Sequence, residues 1–448
     1  MDGALLEILR PAIALRGVSA DPKSGGELQE TAKFFGHFLG SAGFAVRLCG
    51  DHSPAPIVWA ERGNWDADGV LLLYGHYDVQ PPEPVEPWQS DPFSVTLRGG
   101  AIYGRGVADD KGPLLAMLLE LCRSEMAASH LRTIVLLEGG EEIGSPGFAD
   151  FLRERRPQLR SDAALVLDTG CPDDDLPALT TGLRGVIPFE VHLRTGSRDI
   201  HSGFGGCIPN AVQELVHLCG QLHGKKGPVA VPGFYDGIFT ATGEELAAFE
   251  LLEKLDPRPQ ETFGVKCLRR IFPSIPPRAT HALLPALEFN GISGGYAGVG
   301  SKTIIPAEAM AKITVRTVQG QCPERLRSAV VEFLVKRCPR YAEVSVDAGI
   351  AGPAYGIDWG NATEKFKGFF HRMECSLAEA FGRNPIHLRE GGSIGVVGAF
   401  KEILNLDSIL VGVVPPSANI HGPNENWKLE TAAKTRRALA AFFGARPG

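Results

Sequence analysis

Between residues 70 and 168 the chain alternates short apolar runs with stretches of helical spacing. Val70-Leu71-Leu72-Leu73-Tyr74, the run at 132–138 and Ala163-Ala164-Leu165-Val166-Leu167 are brief and almost wholly apolar. Runs of this length and character predict buried strands. Helical spacing returns at 112–125 and 146–155. An earlier helix is predicted over Glu27 to Ala42, with Gly43 as its stop, before strands near Phe44–Leu48 and Ile57–Ala60. Strands alternating with helices predict an α/β layer.

Near Gly182 to Gly185 the period changes. Val186 to Leu193 alternates polar and apolar residues as a half-solvated strand does, and so does Ala311 to Arg316. Helices are expected at Pro209–Leu222 and Pro323–Lys336, and a strand at Ala342–Val346, which together make an α+β unit. A stretch punctuated by proline and glycine, 227–300, lies inside it. After a loop at Ala351–Trp359 come a long helix, Thr363–Phe381, and a strand, Ser408–Val414. The expected organisation is a catalytic domain, 1–183 and 355–448, interrupted by an inserted domain, 184–354.

Composition narrows the function classes. At 448 residues two domains are expected. A net charge of −7 without a basic stripe argues against nucleic acid as a partner. No run approaches the roughly 18 apolar residues of a membrane span, so no membrane partner is expected. The N-terminal residues lack the apolar core of a signal peptide. Nine scattered cysteines without a CxxC pair give neither a disulfide framework nor a zinc ribbon, and a cytoplasmic location is expected.

The chemistry gathers at the ends of the apolar runs. His76 and Asp78 follow the first; Asp109-Asp110 and Glu141-Glu142 lie in glycine-rich loops; Asp168 closes the run at 163–167; His421 lies beyond Ser408–Val414. An open α/β sheet builds its site at that edge. Carboxylates with imidazole suit zinc, manganese or cobalt, and there are too many for one tetrahedral ion. Two ions about 3.5–4 Å apart, bridged by one carboxylate, use them all. Of the adjacent pair Glu141-Glu142, one can ligate while the other faces a water.

Gly75-His76-Tyr77-Asp78-Val79, Tyr103-Gly104-Arg105-Gly106 with Asp109-Asp110-Lys111-Gly112, and Glu138-Gly139-Gly140-Glu141-Glu142-Ile143-Gly144-Ser145 resemble the motifs of the M20 family of dinuclear zinc peptidases. Asp168, His201-Ser202-Gly203 and His421-Gly422-Pro423-Asn424-Glu425 follow in the family's order. The segment Tyr74–Pro82 with Trp88-Gln89-Ser90-Asp91-Pro92-Phe93 is most similar to the carnosinase and cytosolic dipeptidase branch. The resemblance implies a zinc-peptidase-type catalytic domain with a central mixed sheet and an inserted α+β lid and dimerisation domain.

It also implies roles. His76, Asp109 and Asp168 would hold one metal, and Asp109, Glu142 and His421 the other, with Asp109 bridging across a cis Asp109–Asp110 bond. Glu141 would be the general base, and Asp78 would accept a hydrogen bond from the second nitrogen of His76. His201 would stabilise the oxyanion, supplied by the partner subunit of a homodimer. Arg316, Thr303 and Ser393 would bind the substrate carboxylate, and Glu390 a free α-ammonium. Cys207, near His201, reads as packing rather than chemistry; His192, His217 and His281 match no motif and read as structural or exposed; and Asp173-Asp174-Asp175 reads as a solvated turn, not a third metal site. The expected activity is hydrolysis of small peptides by a dipeptidase with two divalent ions per subunit, zinc before manganese or cobalt. The alternatives are an N-acyl-amino-acid deacylase and, against the filled ligand positions, a metal-free binding homologue.

Overall fold

Every residue of Leu131–Glu138 is buried, and so is all of Gly69–His76 except Val70. Strands this apolar need cover on both faces, and they lie in the middle of a mixed sheet. The computed structural model describes residues 3–50, 55–64, 67–225, 227–239, 241–255, 264–349 and 351–444. The sheet runs, in spatial order, Ala45–Cys49, Ile57–Arg62, Leu131–Glu138, Gly69–His76, Ala163–Gly170, Ser408–Val414 and Ala178–Leu183. From Leu131–Glu138 to Ser408–Val414 neighbours are parallel; the flanking pairs are antiparallel. Helix Lys111–Arg123, buried from Lys111 to Leu121, packs on strands Gly69–His76 and Ala163–Gly170. Helices Glu364–Phe381 and Leu429–Gly444 complete that layer.

Parallel strands send their carboxyl ends to one edge of the sheet. His76 and Glu138 are each the last residue of a strand, and Asp168 lies near the end of Ala163–Gly170. His421 follows Ser408–Val414 through the single turn Pro416–Ala418. Four distant stretches of sequence therefore arrive at one edge of the sheet.

The chain divides into two units. The first is Met1–Thr181, Ile357–Leu388 and Gly395–Gly448; the second is Gly182–Gly356 and Arg389–Ile394. The loop at 389–394, with Glu390 and Ser393, belongs to the second unit, whereas the division read from sequence assigns it to the first.

The second unit is an antiparallel sheet in the order Ala286–Gly294, Glu308–Thr317, Gly185–Arg194, Glu343–Ala348. One face alternates inward as the sequence predicts. Ile187, Phe189, Val191 and Leu193 share a core with Ala309, Ala311, Ile313 and Val315, closed by Leu215 and Leu218 of one helix and Val330, Phe333 and Leu334 of another. Each fully buried large side chain contributes roughly 1.5–3 kcal/mol. Strand Ala286–Gly294 and helices Gly243–Leu255 and Pro277–Leu283 fall in the stretch for which sequence gave no element. The strand is at the sheet edge, and only Leu287 along it is fully buried, so it carries no two-residue alternation. Among the described residues no helix is long and apolar enough to cross a membrane.

Candidate metal centre

Gly75 sets the position of His76. A Cβ at residue 75 would stand 2.7 Å from Leu114 Cδ1 and 2.8 Å from Asp110 Oδ2, inside van der Waals contact. His76 is fully buried, with Nδ1 3.1 Å from the Asp78 carbonyl oxygen and 3.4 Å from its carboxylate. Nδ1–H donating to that carbonyl leaves the Nε2 lone pair for a metal. Nε2 lies 3.0 Å from Asp109 Oδ1 and 3.9 Å from Asp168 Oδ2.

The other oxygen of Asp109 serves a second group. His421 Nε2 lies 3.0 Å from Asp109 Oδ2 and 3.4 Å from Glu142 Oε2. Within His76, Asp109 and Asp168, and again within Asp109, Glu142 and His421, one ligand atom from each residue lies within 4.8 Å of the others. Ligand atoms about 2.0–2.2 Å from a zinc ion stand about 3–3.5 Å from one another, a spacing that the 3.0 Å and 3.4 Å pairs already have. The Asp109–Asp110 bond is cis. His421 itself has φ +61°, and Asn419 and Asn424 in the same loop are also left-handed. That conformation is uncommon outside glycine and asparagine.

Charge tests the fit. Burial works against ionised Asp109, yet hydrogen bonds from His421 and His76 prevail and hold it well below the carboxylate range. Burial raises Asp168 well above that range. Burial opposes charge on His76 too, but its hydrogen bonds to Asp109 and Asp78 hold it well above the imidazole range. Hydrogen bonds to Asp109 and Glu142 push His421 up to about 10. The carboxyl groups of Asp109, Asp168 and Glu142, with Glu141 beside them, outnumber the two imidazoles and leave the donor set short of positive charge. Divalent cations supply the missing charge, and the oxygen and nitrogen donors suit them.

Glu141 and Glu142 occupy a single helical turn, Glu141–Ile143, and among the described residues only Glu142 of the two belongs to a ligand group. Asp78 fixes that turn. The Glu141 N–H donates to its Oδ1 at 3.3 Å and the Glu142 N–H to its Oδ2 at 3.1 Å. Sequence gives Asp78 a bond to His76 alone; the structure aims its carboxylate chiefly at these amides, because its own carbonyl is nearer to Nδ1. Gln80, which the sequence does not single out, donates to Glu142 Oε2 at 2.8 Å and leaves Glu141 apart. Burial pushes the Glu141 carboxyl up to about 7, with Glu142, Asp109 and Asp78 adding to the rise. Divalent ions beside it would pull it back down.

The remaining candidates lie in the second unit. Strand Ile200–His201 pairs with Ile304–Ile305, and Ser202 N–H donates to the Thr303 carbonyl, which brings Thr303 beside His201. The Gly203 N–H donates to His201 Nδ1 at 3.0 Å. That bond selects the tautomer with its proton on Nε2, the form an oxyanion donor needs. Arg316 donates to Ser393 Oγ at 2.5 Å. Glu390 closes strand Ile386–Glu390, in the same loop. Arg184, absent from the sequence reading, grips that loop. Its backbone N–H donates to the Gly392 carbonyl and its Nε to the Gly391 carbonyl, each at 3.0 Å. Burial lowers Arg184 to about 10, and Arg316 adds to the shift.

The aspartates at 173–175 form the solvated turn read from sequence, with Asp173 and Asp175 exposed. Asp174 pairs with Lys428 and accepts from Thr431, and Asp175 pairs with Lys434, so the segment anchors the start of helix Leu429–Gly444. None of the nine cysteines forms a disulfide.

The sequence profile of peptidase family M20/M25/M40 matches residues 72–444. A Cys-Gly metallodipeptidase, dug1 of Schizosaccharomyces pombe, is 28% identical over 454 residues, covering 97% of this chain and 94% of the relative. The beta-Ala-His dipeptidase of Rattus norvegicus is 28% identical over 399 residues, with 87% and 79% covered. Among solved structures, an M20 family metallo-carboxypeptidase, Sso-CP2 of Sulfolobus solfataricus, superposes with a TM-score of 0.82 at 26% identity over 100% of both chains.

Proposed function

This chain belongs to peptidase family M20/M25/M40, and from that membership we propose that it is a metal-dependent dipeptidase whose water is activated by Glu141. One observation carries the reading: two ligand groups share Asp109, one through each carboxylate oxygen, with Glu141 held beside them. His76, Asp109 and Asp168 would hold one ion, and Asp109, Glu142 and His421 the other, zinc in the first instance. Two divalent ions bound there make water nucleophilic at neutral pH and polarise the scissile carbonyl. Glu141 takes the proton of the attacking water and delivers it to the leaving amine. Asp78 holds the turn that aims Glu141, and Gln80 keeps Glu142 turned towards His421.

Arg316 binds the substrate carboxylate with Ser393 and Thr303, a task that suits the planar guanidinium. Glu390 receives the free α-ammonium. The test is a panel of free dipeptides, Cys-Gly and β-Ala-His among them, beside N-acetylated and C-terminally amidated counterparts. It uses protein reconstituted with zinc, manganese or cobalt. Free dipeptides should be cleaved, amidation should raise KM, and acetylation should nearly stop turnover. Preference for the acetylated form would make the enzyme a deacylase with the same metal centre.

The second unit, the inserted lid, would also join two chains in a homodimer in which His201 acts on the partner's substrate. His201→Ala should lower kcat by about 10²–10³-fold, the cost of one oxyanion donor. Mixing it with Glu141→Ala protein should recover activity. Random exchange makes half the dimers hybrid with one intact site each, so about a quarter of the sites work. No recovery despite proven exchange places the histidine in its own subunit's site. The cytoplasm is the proposed location, in keeping with nine cysteines and no disulfide.

A further inference from the structure

Glu425 lies four residues past His421, fully buried, and the dimetal chemistry gives it no part. Its Oε1 accepts from the backbone N–H groups of Gly106 at 3.0 Å, Ala108 at 2.9 Å and Asp109 at 3.1 Å. Its Oε2 accepts from Arg105 at 2.7 Å and again from Gly106 at 3.1 Å. The Gly104 N–H donates to its backbone carbonyl at 3.1 Å. A carboxylate offers about four lone-pair sites, and five donor contacts saturate them, so Glu425 has none left for an ion.

The partners define what the residue does. Three bonds to one oxygen collect the amides of Gly106, Ala108 and Asp109 itself. The same residue terminates the loop that carries His421. Asn424, just before it, is pinned as well: its Oδ1 accepts from the Gln89 N–H at 2.9 Å and its Nδ2 donates to the Pro87 carbonyl at 2.8 Å. One side chain thus ties the loop of the shared ligand to the loop of the second group's histidine.

We propose that Glu425 is a positioning residue that fixes Asp109 between the two ligand groups, so that both metal positions depend on a buried carboxylate that ligates neither. The inference rests on the dimetal reading above. It predicts a specific signature. Loss of a ligand belonging to one group releases one ion, whereas loss of Glu425 weakens both together. Outer partners of metal ligands are worth about 10–100-fold in affinity, and that factor should appear at each position.

The experiment is chelator competition on purified protein loaded with two zinc ions, with released zinc counted, in wild type, Glu425→Gln, Glu425→Asp and His421→Ala. Glutamine keeps the shape but turns an N–H group towards N–H donors. Glu425→Gln should release both ions at chelator activities about 10–100-fold lower, in parallel. His421→Ala should lose one ion and retain the other. Glu425→Asp, which keeps the charge, should fall between Glu425→Gln and wild type, and it carries the test alone if Glu425→Gln does not fold. Melting of the metal-free proteins separates the explanations. A lower Tm with wild-type release curves makes Glu425 merely structural and overturns the inference, as does loss of one ion only. Wild-type protein that never binds two ions sinks the dimetal reading, and the inference with it.

Discussion

Glu141→Gln should lower kcat by about 10²–10⁴-fold, the range removed with a general base, while the protein still holds two ions. The contrast follows from the turn at Glu141–Ile143. Both metal groups form without Glu141, and the bonds that shape the turn come from the backbone N–H groups of Glu141 and Glu142 to Asp78, not from the Glu141 side chain. Glutamine keeps that backbone and the volume but takes no proton. KM should move little, because Arg316, Thr303, Ser393 and Glu390, proposed for the substrate's ends, are unchanged. The acid limb of kcat against pH should vanish with the carboxyl group. Steady-state kinetics with metal analysis on the same sample decides it. Zinc lost in proportion to activity would make Glu141 a ligand and leave the base unassigned.

Asp109→Ala should remove both ions and reduce turnover to the level of metal-stripped protein. Among the described residues no other side chain belongs to both candidate groups, so each of the others should cost one position: Asp168 or His76 the first, Glu142 or His421 the second. At each position the affinity lost should exceed the roughly 10–100-fold of an outer partner. Mass spectrometry under native conditions, counting zinc per chain across the series, tests the pattern. One ion retained at full affinity in Asp109→Ala would show that the two positions do not share it.

The fold was legible where burial is two-sided or strictly alternating. Gly69–His76 and Leu131–Glu138 read as strands because almost nothing in them is polar, and Gly185–Arg194 because its burial switches at nearly every residue. Ala286–Gly294 was illegible for the converse reason, since an edge strand with one buried side chain has no pattern to read. The candidate ligands could be named because each sits in a short motif at the end of an apolar run. Gln80 and Arg184 could not, because they act by hydrogen bonds to a side chain or a loop distant in sequence. Glu425 was visible inside its motif, yet its task depends on amides over 300 positions away, and only folded geometry supplies that.

Strand Ser408–Val414 lies inside the sheet, between Ala163–Gly170 and Ala178–Leu183, although it follows both neighbours and the whole inserted unit along the chain. A nascent chain that has emerged as far as residue 400 already owns His76, Asp109, Glu141, Glu142 and Asp168. It still has a gap where that strand belongs, and it lacks His421. The sheet cannot close, nor the second ligand group assemble, until translation has passed the whole inserted unit and the strand has slotted between its neighbours. Fragments ending before residue 408 lack one strand of the sheet and His421, and should be inert.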